Sequence, residues 1–156
     1  MFALKLNCAK KLKPKMKIAL KYGIAVTLVI AVWVLVKDFV LYLAGPGARV
    51  ADLIVFNLAA IVGLILGIRS KRAANGGSLA YGDGLLTGIK IAVTYALLTS
   101  LYFLAMLARF GPKLMQQEGE TSYAKAFLGV SIGFALFGAV FSAIISLVLK
   151  RKASGG

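Results

Sequence analysis

Apolar residues in this chain gather into four long runs, set apart by short basic or polar blocks. The first, residues 22–36, carries no charge over fifteen positions. Fifteen helical residues rise only about 22 Å, against a hydrocarbon core of about 30 Å. The pattern therefore predicts a span over about 22–43, with Lys37 and Asp38 in its outer end. Gly45-Pro46-Gly47 predicts a tight turn. A second span follows over about 50–68, with Asp52 at its outer edge and Asn57 about a turn and a half further in. Arg69-Ser70-Lys71-Arg72 closes it, and Asn75-Gly76-Gly77 marks a flexible loop. A third span runs over about 85–108 and is ended by Arg109, Phe110, Gly111 and Pro112. The longest polar connection covers 113–123. The fourth span, about 126–149, has no charge and stops at Lys150-Arg151-Lys152. The fold class this predicts is all-α: an integral membrane four-helix bundle of antiparallel spans.

Composition and charge sharpen that picture. The chain has 156 residues, 60% of them hydrophobic, and a formal charge of +14. A soluble domain of this size averages under half apolar. Chains both this apolar and this basic are membrane proteins with basic cytoplasmic ends. Residues 1–21 hold seven lysines and no acid, interleaved with Phe2, Leu4, Leu6, Leu12 and Met16. Pro14 is expected to break a helix through this arm. Such an arm attracts anionic headgroups by roughly 1 kcal/mol per lysine near the surface. It also acts as a topology signal. Met16 itself has the makings of a start, with the residues before it as an extension. Nucleic acid is a poor partner, because the charge sits in short blocks between runs of spanning length.

With four spans and the N-terminus inside, the arm, the second loop, the tail and Lys90 put fourteen basic residues on one side. Lys37, Arg49, Arg109, Lys113 and Lys125 make five on the other. Basic residues accumulate on the cytoplasmic side, so both termini are expected there.

Candidate chemistry is sparse. There is no histidine and one cysteine, Cys8, which excludes most zinc, haem and thiol–imidazole sites and any internal disulfide. No cofactor is expected. Asp83, Thr87, Lys90 and Thr94 step by four, three and four, and so share one stripe at the mouth of the third span. That stripe is the candidate polar path of a small channel or transporter, since ionisable groups within a span are costly. Lys37, Asp38, Asp52 and Asn57 form a candidate outer cluster where the first two spans meet; Asp38 with Arg49, or Lys37 with Asp52, are its natural ion pairs. Intramembrane aspartyl proteolysis needs two aspartates at one depth, whereas Asp83 lies near the inner face and Asp38 and Asp52 near the outer. Metalloprotease and serine–histidine chemistry fail without histidine, and Gly76-Gly77-Ser78 lacks the rest of a phosphate loop. The expectation is a non-enzymatic protein.

Small residues recur at spacing four: Gly23, Thr27 and Ala31; Ala59, Gly63 and Gly67; Gly84, Gly88 and Ala92; Gly129 and Gly133; Gly138, Ser142 and Ser146. Lipid gives helices no hydrophobic drive to associate, so smooth strips that allow close backbone approach supply the contact. They predict a compact bundle, and association with a second copy or a larger membrane complex.

Three segments together carry a likeness. They are Met16-Lys17-Ile18-Ala19-Leu20-Lys21-Tyr22-Gly23, Gly67-Ile68-Arg69, and Ser78-Leu79-Ala80-Tyr81-Gly82-Asp83-Gly84-Leu85-Leu86-Thr87-Gly88, followed by a last span with a basic end. The pattern resembles a family of small bacterial four-helix membrane proteins classed only as a domain of unknown function. The likeness covers about 16–152, and the fifteen residues before it depart from the pattern. It implies four spans in a bacterial inner membrane and implies no activity.

Overall fold

The computed structural model describes residues 2–41, 46–110 and 122–150, with side chains from residue 18 onward except at 46, 110 and 126. Nearly all of them lie in four helices: α1 Phe2–Phe39, α2 Pro46–Ala74, α3 Tyr81–Phe110 and α4 Tyr123–Leu149. Each holds a stretch long and apolar enough to cross a membrane: Ile18–Phe39, Gly47–Ala74, Tyr81–Arg109 and Tyr123–Leu149. Only 22% of the most apolar window of α4 is buried inside the chain, and 39% of that of α3. Leu28, Val32, Leu58, Leu97, Leu136 and Val140 all face outward. An exterior this apolar is suited to lipid as its solvent, and helices satisfy their own backbone groups there.

α2, α3 and α4 overrun their predicted spans, because backbone hydrogen bonding need not stop at the hydrocarbon edge; α1 starts well before residue 22 but ends at Phe39, short of the expected end near 43. Pro46 opens α2 instead of sitting within a turn; its fixed φ and missing N–H suit a first helical position. α1 runs through Pro14. The proline removes one i→i−4 bond and crowds a carbonyl, which bends a helix without having to end it. α2 continues past Arg72 to Ala74 and is closed by Gly76 and Gly77 at φ 68° and 86°, left-handed values that favour glycine. The connection expected to be flexible is a bonded turn. Lys71 Nζ donates to Asn75 Oδ1 at 2.7 Å, and Ser78 Oγ donates to the Asn75 carbonyl at 3.1 Å. Leu79 then buries itself under the bundle. The side chains of the lysine arm before Ile18, most of the polar connection at 113–123, and the tail after Lys150 lie outside the described residues.

α2 and α3 each pack against all three other helices, whereas among the described residues α1 and α4 do not meet. The α3–α4 seam is the most extensive. Along it a Cβ on Gly84 would meet Ser146, one on Gly88 would collide with Ser142, and one on Gly138 would collide with Ala92. Further along, Tyr95 Oη donates to the Phe134 carbonyl at 3.2 Å, and Ser131 Oγ donates to Ser100 Oγ at 2.8 Å. Residue numbers rise on α3 as they fall on α4. Across α1 and α2, Val26 fills the notch at Gly63 and Tyr22 lies beside Gly67. Ile91 of α3 enters the Gly67 notch as well, Ile68 of α2 lies beside Gly88, and Thr94 closes on Gly23. The buried cluster of Ile30, Leu64, Ile68, Leu79, Ile91 and Tyr95 fills the space between these seams.

Because lipid tails are as apolar as leucine, these close contacts carry the stability of the bundle. Gly88→Val should therefore cost about 1–3 kcal/mol in reversible unfolding from mixed micelles, the ordinary price of overpacking. Gly129→Ala, where a Cβ meets nothing within 4 Å, should not lower the midpoint, since alanine favours a helix over glycine. Equal midpoints for the two variants would contradict this packing.

Candidate functional site

Trp33 and Lys37 are one turn apart on α1, so both reach the same neighbour. That neighbour is Asp52, in the second turn of α2. Trp33 Nε1–H donates to Asp52 Oδ1 at 2.8 Å, and Lys37 Nζ donates to Asp52 Oδ2 at 2.8 Å. Lys37 Nζ also lies 3.4 Å from Asp38 Oδ1. The Lys37 and Asp52 side chains are only 15% and 21% exposed. This pair is thus shielded more than a solvent-screened surface bridge, and losing one partner strands a charge. α3 adds Tyr102, within electrostatic reach of Asp38 and Lys37; its buried hydroxyl has no hydrogen-bond partner. Both Asp52 oxygens are engaged by donors, so the arrangement acts as a joint between helices.

Asn57 does not join this cluster. Its Nδ2 donates to the Leu53 carbonyl of its own helix at 2.7 Å. Five residues from Asp52 carry it about 140° round α2. Trp33 and Tyr102 were not anticipated as members. The four-residue step from Trp33 to Lys37 was the available signal for the first. Nothing in the sequence pairs Tyr102 with α1.

The Asp83–Thr94 stripe is a line on one side of α3, and its polar groups serve the helix itself. Thr87 Oγ1 donates to the Asp83 carbonyl and Thr94 Oγ1 to the Lys90 carbonyl, each at 2.7 Å. Thr87 is buried, Asp83 half-buried, and Lys90 exposed. Lys90 shares its flank with the exposed Leu86, Val93, Leu97 and Leu101. No ion pair joins Asp83 to Lys90 among the described residues. The stripe thus follows the edge of the α1–α3 seam on the bundle's exterior and does not line its interior.

Of the glycines expected to pack helices, Gly63, Gly67, Gly84 and Gly88 face partner helices within the chain. Gly129 and Gly133 do not: a Cβ on either would meet nothing within 4 Å. They precede Gly138 and Ser142 by nine residues, about half a turn round α4, so turning the latter pair to α3 turns the former pair outward. Among the described residues no group of three His, Cys, Asp or Glu could hold a metal ion. Thr99 Oγ1 of α3 and Ser146 Oγ of α4 are buried with no hydrogen-bond partner among the described residues.

No protein-family model, curated protein or solved structure matches the chain. Function is accordingly read from its own residues.

Trp33 is the single tryptophan, so its fluorescence reports on the joint directly. Asp52→Ala should shift the emission maximum and cost about 1–3 kcal/mol, a value reduced from that of a fully buried pair for partial exposure and for the modest worth of polar contacts in lipid. Asp38→Ala should leave the emission unchanged. An Asp52→Ala spectrum identical to that of the parent would remove the joint from this account.

Proposed function

We propose that the protein is a non-enzymatic subunit of a bacterial inner membrane, one that associates with a second copy or a larger membrane complex through the outward face of α4. The observation that supports this most is the Gly129–Gly133 pair. Every helix of the bundle uses small residues for close approach inside the chain, and this pair alone among the expected packing glycines has open space before it. Two glycines four apart on an apolar helix leave a smooth groove in which another helix gains backbone contact. Leu128, Ile132, Leu136 and Val140 flank the groove and are exposed. Beside it, an apolar notch of about 190 Å³ between α3 and α4 is lined by Val93, Ala96, Leu97, Ser131, Ile132 and Ala135.

Both termini are cytoplasmic in this reading. Lys21, Arg69, Lys71, Arg72, Lys90 and Lys150 belong to the end of the bundle that holds the start of α3, and Asp83 is the only described acid there. The other end holds Lys37, Arg49, Arg109 and Lys125 with Asp38 and Asp52. This bias supports the lysine-rich end as the cytoplasmic one, and the lysine arm as a partner of anionic headgroups. A small homo-oligomeric channel using Asp83, Thr87 and Lys90 is the alternative; it requires that stripe to face a pore between copies.

Gly133→Ile separates these readings from simple misfolding. It should abolish association in native mass spectrometry or light scattering while leaving the unfolding midpoint of the monomer unchanged. Gly63→Ile, which fills a notch inside the chain, should lower that midpoint instead. If Gly133→Ile assembles like the parent, the α4 face is not the contact. If Lys90→Met abolishes ion flux in liposomes, the channel reading replaces the subunit reading.

A further inference from the structure

Asp83 and Lys90 are the only charged residues of α3 before Arg109. They lie seven residues apart, about 20° from one line along the helix and about 10 Å apart along its axis. Leu86, Val93, Leu97 and Leu101 are exposed on the same flank, so the two charges interrupt a surface that otherwise meets hydrocarbon. α1 borders them, since Thr94, one turn beyond Lys90, closes on Gly23. Thr94 Oγ1 and Thr87 Oγ1 are tied to backbone carbonyls of α3. Neither charge is taken up by an ion pair among the described residues. Lys21 on the neighbouring helix is held over the Tyr22 ring, 5.6 Å from its centroid.

The order of the charges matters. Asp83 is in the first turn of α3, and Lys90 lies nine residues from Tyr81, about 13 Å along the axis. Whichever face of the membrane this is, the carboxylate is nearer water and the ammonium nearer hydrocarbon. A lysine stem of about 6 Å extends toward the headgroups. That brings its charge to within roughly 5 Å of the carboxylate level along the membrane normal. A zwitterionic phospholipid presents the mirror order: its phosphate is deep and its ammonium outermost. Two carbons separate them, on the order of 5 Å with bonds of about 1.5 Å.

We infer that the Asp83–Lys90 flank of α3 seats the headgroup of an aminophospholipid, phosphatidylethanolamine, with its phosphate on Lys90 and its ammonium on Asp83. The acyl chains then lie along Leu97 and Leu101. Phosphatidylglycerol offers Lys90 the same phosphate but brings Asp83 only neutral hydroxyls, with no cation to balance the carboxylate. A choline headgroup carries the same charges with no N–H, so it cannot donate to the carboxylate.

The test is native mass spectrometry of the full chain, purified in detergent with equimolar phosphatidylethanolamine, phosphatidylcholine and phosphatidylglycerol. The ethanolamine-to-choline ratio of retained lipid is the readout. Lysines elsewhere attract phosphatidylglycerol without moving it. The parent should retain phosphatidylethanolamine over phosphatidylcholine by about fivefold, the ratio that corresponds to roughly one net hydrogen bond from the ammonium to Asp83. Asp83→Asn should bring the ratio close to one while phosphate-dependent retention persists. Lys90→Met should lower retention of both zwitterionic lipids together, and Lys90→Arg should restore it. Both side chains lie outside the buried core. Any loss of the favourable acid in the first turn of α3 shows in the unfolding midpoint and not in the lipid ratio. A parent ratio near one, or a ratio unchanged by Asp83→Asn, overturns the inference. So does a phosphatidylglycerol preference that disappears in Lys90→Met, which would assign the flank to an anionic lipid.

Discussion

Close backbone approach between α3 and its neighbours is the constraint on which this molecule depends. A membrane bundle gains nothing by hiding leucine from lipid, so contact must come from surfaces that fit. Here Gly84, Gly88 and Ala92 of α3 admit Ser146, Ser142 and Gly138 of α4. On the other side Ile91 and Thr94 enter the notches at Gly67 and Gly23. Larger side chains at these positions would push α3 away from α1, α2 or α4. The arrangement places α1 and α4 at opposite edges with α2 and α3 between them, and so leaves the outer faces of α1 and α4 to the surroundings.

Polar groups are distributed according to that packing. Where the α3–α4 seam opens toward Tyr95 and Ser100, hydroxyls bridge the helices; where it is tightest, Ser142 turns its hydroxyl onto the Gly138 carbonyl of its own helix. The larger polar investment is at the opposite end from Leu79, where Trp33, Lys37 and Asp52 tie α1 to α2. That end joins α1 to α2 through a charged joint, while the other joins α2 to α3 through the bonded turn at Asn75 and the buried Leu79. Asp83 and Lys90 lie outside these devices, on the flank of α3 that also carries the exposed Leu86, Val93 and Leu97.

The four helices were legible in the sequence because a membrane span needs an apolar run of fixed length, and each run here is bounded by basic or turn residues. Their ends were less so: Pro46 and Pro14 both read as breaks, yet one begins a helix and the other lies within one. Helical spacing showed which small residues share a face, but not which face meets a neighbour. Gly63 and Gly129 carry the same local signal, and only the packing separates a filled notch from an open one. For the same reason the Asp83–Thr94 line was visible, while its position on the exterior was not. Trp33 reads from sequence as an interfacial aromatic set rather deep in its span; its N–H finds a role because α2 brings Asp52 across from it.

The register of α3 on α4 is the most direct test of this account. In a chain with Cys8 replaced by Ser, Ser100→Cys and Ser131→Cys put two thiols where two hydroxyls lie 2.8 Å apart. Mild oxidation in native membranes should close an intramolecular disulfide, seen as a loss of two hydrogens from the monomer mass and protection of both thiols from alkylation. If both thiols stay free, or if they join separate chains, then α3 and α4 do not meet in this register and the bundle described here is wrong.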